Sequence, residues 1–152
     1  MKNYKNPFTF FILCFLLFFL GINAIMGGLL LMLAPDGSLM GMTLDWLQNA
    51  PFKTYFIPGF LLFSVLGVFS LFTLVGLVFN VKLRHLNFLN IYPDRFWAWT
   101  YSLYIGLIAI IWITVQLIMT QYFWIQPVII FNGVLIIMCV MDPKIMKKYE
   151  IH

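Results

Sequence analysis

The chain alternates four long apolar stretches with short polar ones. By hydropathy the stretches are Phe8–Leu33, Tyr55–Phe79, Phe96–Met119 and Trp124–Met141, of 26, 25, 24 and 18 residues, and none contains Asp, Glu, Lys, Arg or His. As helices, each is long enough to cross about 30 Å of hydrocarbon, the longer ones with tilt. The pattern predicts one all-α domain over residues 1–152, an integral membrane bundle of four transmembrane helices.

The breaks carry their own chemistry. Pro35-Asp36-Gly37-Ser38 is a turn signal that stops the first helix. Thr54 before Tyr55, with Pro58 in the first turn, suits the start of the second, and Asp94 after Pro93 can cap the third. Only Thr120 to Phe123 separate the last two stretches, which predicts a tight antiparallel hairpin with Pro127 in the first turn of the fourth helix. The first loop, Ala34 to Thr54, is the longest. Within it Thr43–Gln48 reads as a short interfacial helix, with Thr43 as N-cap, Asp45 at the positive helix end and Trp46 at the membrane–water boundary. That piece is an interfacial anchor or, on a sharper reading, a lid.

Composition agrees with the pattern. Of 152 residues, 63% are hydrophobic, 19% aromatic and 9% charged; the mean hydropathy is +0.98. A water-facing surface needs more charge than this. Lys2, Lys5, Lys82, Arg84, Arg95, Lys144, Lys147 and Lys148 fall on one side of the predicted bundle and Lys53 alone on the other. The positive-inside rule then puts both termini and the second loop in the cytoplasm. The apolar run after Lys2 and Lys5 continues to Leu33, too long for a signal-peptide core, so it reads as an anchor. Leu13 before Cys14 occupies a position where a lipoprotein signal needs a small residue.

Several chemistries fail on residue type. Cys14 and Cys139 form no Cys-x-x-Cys pair, so thiol oxidoreduction has no resolving sulfur. The histidines are His85, in a loop, and His152, the last residue, which leaves no facing pair for haem. No ionisable group lies in a span to relay protons. Asp36 and Asp45 belong to the outer loop, across the membrane from His85, and no acid, base and nucleophile converge. The expectation is a protein that is not an enzyme, with no cofactor and no metal. Nor does any basic element extend into a folded domain, so nucleic-acid binding has no support.

What remains is uncharged polarity. Asn23, Gln116, Gln126 and Asn132 lie in the outer halves of their helices, and Trp112 shares a face with Gln116. An amide in hydrocarbon should face a partner. The plain reading is an interhelical hydrogen-bond cluster; the sharper one is a ligand- or lipid-binding pocket open to the outer leaflet, lined by these five. Gly21, Ala24 and Gly28 form a strip without bulky side chains, suited to packing within the bundle or to a homo-oligomer or partner contact. Lys82, Arg84 and Arg95 are candidates for contact with anionic lipid head groups.

Two blocks carry a resemblance. Gly27-Gly28 through Pro35-Asp36-Gly37-Ser38 and Gly41-Met42, followed by Pro51-Phe52, Tyr55, Ile57-Pro58-Gly59, Leu62-Phe63 and Gly67, make the first; Trp112-Ile113, Gln116, Gln126-Pro127 and Gly133 make the second. Together they resemble a family of small bacterial four-helix integral membrane proteins without an assigned activity. The resemblance implies a bacterial cytoplasmic (inner) membrane location and a four-helix fold, and no catalytic residue. The leading expectation is therefore an accessory, assembly or structural membrane component. The alternative is a carrier or receptor for a small amphipathic molecule or lipid in the outer half of the bundle.

Overall fold

A computed structural model describes residues 7–82 and 84–151, with Arg84 described in its backbone alone. Lys2, Lys5, His152 and the Arg84 side chain, which entered the charge and head-group arguments, lie outside the described residues. The described chain is helical, without a strand; Arg95 and Glu150 form an isolated antiparallel bridge. Its long helices are α1 (Phe8–Leu33), α2 (Phe56–Phe79) and α3 (Trp97–Met119), each long and apolar enough to cross a membrane. The fourth, α4 (Gln126–Val140), has 15 residues. At 1.5 Å per residue it reaches about 22 Å, less than the predicted stretch Trp124–Met141. Its start is delayed because Trp124 and Ile125 remain in the turn, with Pro127 in the first turn as expected. A short α5 (Pro143–Lys148) follows.

Glycines set the helix pairing. A Cβ on Gly28 would lie 2.6 Å from the Gly59 carbonyl oxygen, and one on Gly21 would lie 2.7 Å from Leu71 Cδ2. In the Gly21/Ala24/Gly28 strip both glycines thus pack against α2, in line with the expectation of packing within the bundle. Gly106 and Gly133 bring α3 and α4 equally close, each placing a new Cβ 2.9 Å from the other's carbonyl. Gly76 sits under Trp97, and Phe69 and Phe72 meet Tyr101 and Trp97 at ring separations of 5.2 and 5.4 Å. These contacts join α2 to α3 at the end of the bundle nearer the chain termini. Toward the 34–55 loop α2 packs on α1 through Gly59 and Gly28, and its contact with α3 thins out. Within α2 the segment Leu62–Val68 is a π-helix, a wider turn found often at functional sites.

The opposite end is closed by the C-terminal segment. Asp142 caps α5 by accepting from Lys144 N at 2.8 Å and also accepts from the Thr9 hydroxyl at 2.6 Å. Ile145 and Tyr149, four apart, are wholly buried. Burial pushes the Lys148 amine below its ordinary pKa, and its Nζ lies 3.7 Å from the centroid of the Phe10 ring, a cation–π contact. The expected helix caps do not form. Neither Tyr55 before α2 nor Phe96 before α3 gives a side-chain cap, and Asp94 pairs with Arg95 Nε at 3.2 Å.

Candidate functional site

The 34–55 loop is a folded cover. Gly37 and Gly41 take left-handed φ values of 83° and 67°, where side chains are strained, and a 3₁₀ turn Ser38–Met40 lies between them. Asp36 Oδ1 accepts from Ser38 N at 3.1 Å and from its hydroxyl at 2.8 Å, which holds the exposed carboxyl below its ordinary pKa. The predicted interfacial helix is a single 3₁₀ turn, Leu44–Leu47; Thr43 precedes it but gives no side-chain cap, and Asp45 is exposed. Leu47 is buried against Leu31 and Tyr55. Tyr55 fastens the cover twice, its hydroxyl donating to Thr43 O at 2.8 Å and its backbone N to Pro35 O at 2.8 Å.

Beneath this cover lies a cavity of about 430 Å³. Its floor and walls come from all four long helices: Asn23 and Gly27 from α1, Leu62 and Leu66 from α2, Trp112 and Gln116 from α3, Gln126 and Ile129 from α4. Met40, Met42, Trp46 and Leu47 of the loop roof it. Among the described residues no Asp, Glu, Lys, Arg or His lines it. The size lies in the range of sites for small molecules, which are likewise mainly apolar with a few polar groups.

Four of the five amide and indole candidates therefore meet at one cavity. Asn132 does not. It borders a separate hollow of about 180 Å³ between α1 and α4, with Phe15, Phe19 and Phe131. The hydrogen-bonding expectation also needs correction: among the described residues none of the five bonds to another. Asn23 Nδ2 donates to Phe19 O at 2.8 Å within its own helix, and Gln126 Oε1 accepts from Phe123 N at 2.9 Å. Asn132 Nδ2 reaches the Leu16 carbonyl at 3.4 Å, its only crossing between helices, while Asn132 Oδ1 and Trp112 Nε1 are buried without partners. Backbone carbonyls and amides lie closer to each side chain than a distant amide does, so local bonds win.

The head-group candidates separate as well. Lys82 is exposed. Arg95 is not free for lipid: it donates to Met146 O at 2.6 Å, pairs with Asp94, and lies 5.7 Å from the centroid of the Trp99 ring. Its role is to hold the C-terminal segment. Sequence reasoning missed the thioethers of Met26, Met40, Met42 and Met119 around the cavity. Met26 and Met119 lie in apolar stretches where no periodicity marks them, and Met40 and Met42 in a loop without one, although methionine is a common lining of adaptable sites.

No protein-family model matches the chain, and neither a curated protein nor a solved structure does.

Proposed function

We propose that this is a non-enzymatic, four-span protein of the bacterial cytoplasmic membrane that holds a small, uncharged amphipathic molecule in its outer half. Residues Trp124–Met141, α4 with its flanking turns, supply the fourth crossing. Both termini face the cytoplasm, a reading supported by the uneven split of lysine and arginine. The observation that carries the binding reading is the cavity: about 430 Å³ walled by apolar groups, side-chain amides and indoles, with no Asp, Glu, Lys, Arg or His among the described residues. An apolar body gains from burial there, and hydroxyl or carbonyl groups can meet the amides, whereas a buried charge would have no counter-ion. A purely structural accessory or assembly component would need no such space.

Native mass spectrometry of protein purified in mild detergent tests the binding. A retained small molecule is expected, and its loss in Trp112→Ala with the fold intact. An empty wild-type protein would refute the reading. Orientation is tested separately by single cysteines at Ser38 and Asn87, in a chain lacking Cys14 and Cys139, labelled with an impermeant reagent. Position 38 should label from outside intact cells; labelling of position 87 there would reverse the topology.

A further inference from the structure

We infer that the occupant is an acyl chain of a membrane lipid, entering sideways from the outer leaflet through the cleft between α2 and α3. The inference rests on the cavity-binding reading and adds the route and the ligand class. The loop lies over the water-facing end, where Tyr55 ties it by two hydrogen bonds and Leu47 is buried. The loop therefore narrows the way in from water on the side of α1 and α2. The side wall is different. Gly28 and Gly59 draw the start of α2 onto α1, Gly106 and Gly133 join α3 to α4 near mid-height, and the aromatic contacts between α2 and α3 lie toward the end nearer the chain termini. Leu62, on α2 beside Gly27 of α1, and Val115 on α3 belong to the two helices that part here. Both line the cavity, and Val115 is 43% exposed.

The contents select the ligand. A space of about 430 Å³, mostly apolar in its walls, has room for a stretch of acyl chain rather than for a head group alone. A phosphate or carboxylate finds no cation among the described residues of the wall, so a charged head must stay outside the lining, in the interface. The neutral ester region then falls among Asn23, Gln116 and Gln126, which have amide groups to offer. The flexible thioethers of Met40 and Met42 adapt to a chain of variable shape.

The test uses the full chain in phosphatidylethanolamine and phosphatidylglycerol vesicles, doped with a phosphatidylcholine bearing a diazirine at the end of one acyl chain. A second sample receives a water-soluble, short-chain diazirine monoacylglycerol added from outside. After photolysis, adducts are mapped by peptide mass spectrometry. The phospholipid should label Met40, Met42 or Leu47 under the roof, and this labelling should be lost in Val115→Trp and in Leu62→Trp, which fill the cleft from opposite walls. The soluble probe should still label the roof in at least one of these variants, which also reports that the cavity is intact. Roof labelling by phospholipid that persists in both variants overturns lateral entry. Labelling by the soluble probe alone overturns the lipid and leaves the cavity reading standing. Labelling confined to outward residues such as Phe60 and Ile111, with neither probe at the roof, overturns both.

Discussion

The Tyr149 hydroxyl donates to the Leu77 carbonyl across the closed end of the bundle, at 2.9 Å. Leu77 lies in the last turn of α2, where carbonyls lack helical partners. Two indoles do similar work nearby: Trp99 Nε1 donates to Val140 O at 2.9 Å, at the end of α4, and Trp97 Nε1 to Val81 O at 2.8 Å. Helix ends that would otherwise need water are satisfied by aromatic side chains. This end can be dry and rigid, which leaves the loop end as the place where the interior is accessible.

Removing the phenol alone tests that closure. Tyr149→Phe keeps the ring and leaves the Leu77 carbonyl buried without its partner, at a cost of about 1–3 kcal/mol. The loss should appear in unfolding by denaturing detergent. Ligand retention at the far end should be unchanged; an effect on retention with no loss of stability would contradict the division into two ends.

Acid should loosen the same end through Asp142. The Thr9 hydroxyl first, and then the Lys144 backbone amide, hold its carboxyl below the ordinary value. A depressed folded pKa means that the contribution to stability is present above the ordinary carboxylate value, about 3.9, and is lost as pH falls through the lower folded value. Protease release of the C-terminal segment should rise in that acid range for the wild type. In Thr9→Val the folded value moves back toward the ordinary one, so the pH-dependent term shrinks and the segment is released more readily above that range. Identical release profiles would remove Thr9 from the argument.

The sequence made α1 legible from end to end and placed α2 and α3 within a residue, because a charge-free run bounded by Pro, Asp or Gly leaves the chain few alternatives in lipid. It did not reveal the π segment Leu62–Val68: where nearly every position is apolar, a slip in helical period moves no polar residue to the wrong side. It also passed over α5, although Asp142-Pro143 followed by Ile145 and Tyr149 carries a cap, a first-turn proline and an i, i+4 apolar pair. For the site, the clustering of amides at one end was legible as helix depth. Which face each took was not, and Asn132 fell on the seam between α1 and α4.

Two adjacent glycines should respond oppositely to alanine. Gly28 has the Gly59 carbonyl oxygen 2.6 Å from its Cβ position, a backbone atom that cannot swing away. Gly28→Ala should force α1 and α2 apart and cost about 1–3 kcal/mol. Gly27 meets Leu62 Cδ2 at 3.5 Å, an ordinary contact. Gly27→Ala should be neutral or stabilising by up to about 1 kcal/mol, through the better helix propensity of alanine. Comparable losses at both positions would mean that close approach of the backbones is not what pairs the helices.

Asn132 decides whether a polar group inside the bundle stabilises it. Its bond to Leu16 O is long, at 3.4 Å, and Oδ1 is buried with no donor, on a residue 4% exposed. Hydrogen bonds between membrane helices contribute about 0.6 kcal/mol on average and at most near 2, whereas a buried unpaired polar atom costs about 1–3. With the bond at the weak end and the unpaired oxygen in full, the second magnitude wins. Asn132→Leu should therefore leave stability unchanged or raise it by about 1 kcal/mol. Because Asn132 borders a different hollow from Trp112, the same change should spare ligand retention, while Trp112→Ala abolishes it. A loss of 2 kcal/mol or more in Asn132→Leu would show that the amide holds α4 to α1 after all, and lost retention would join the two hollows into one site.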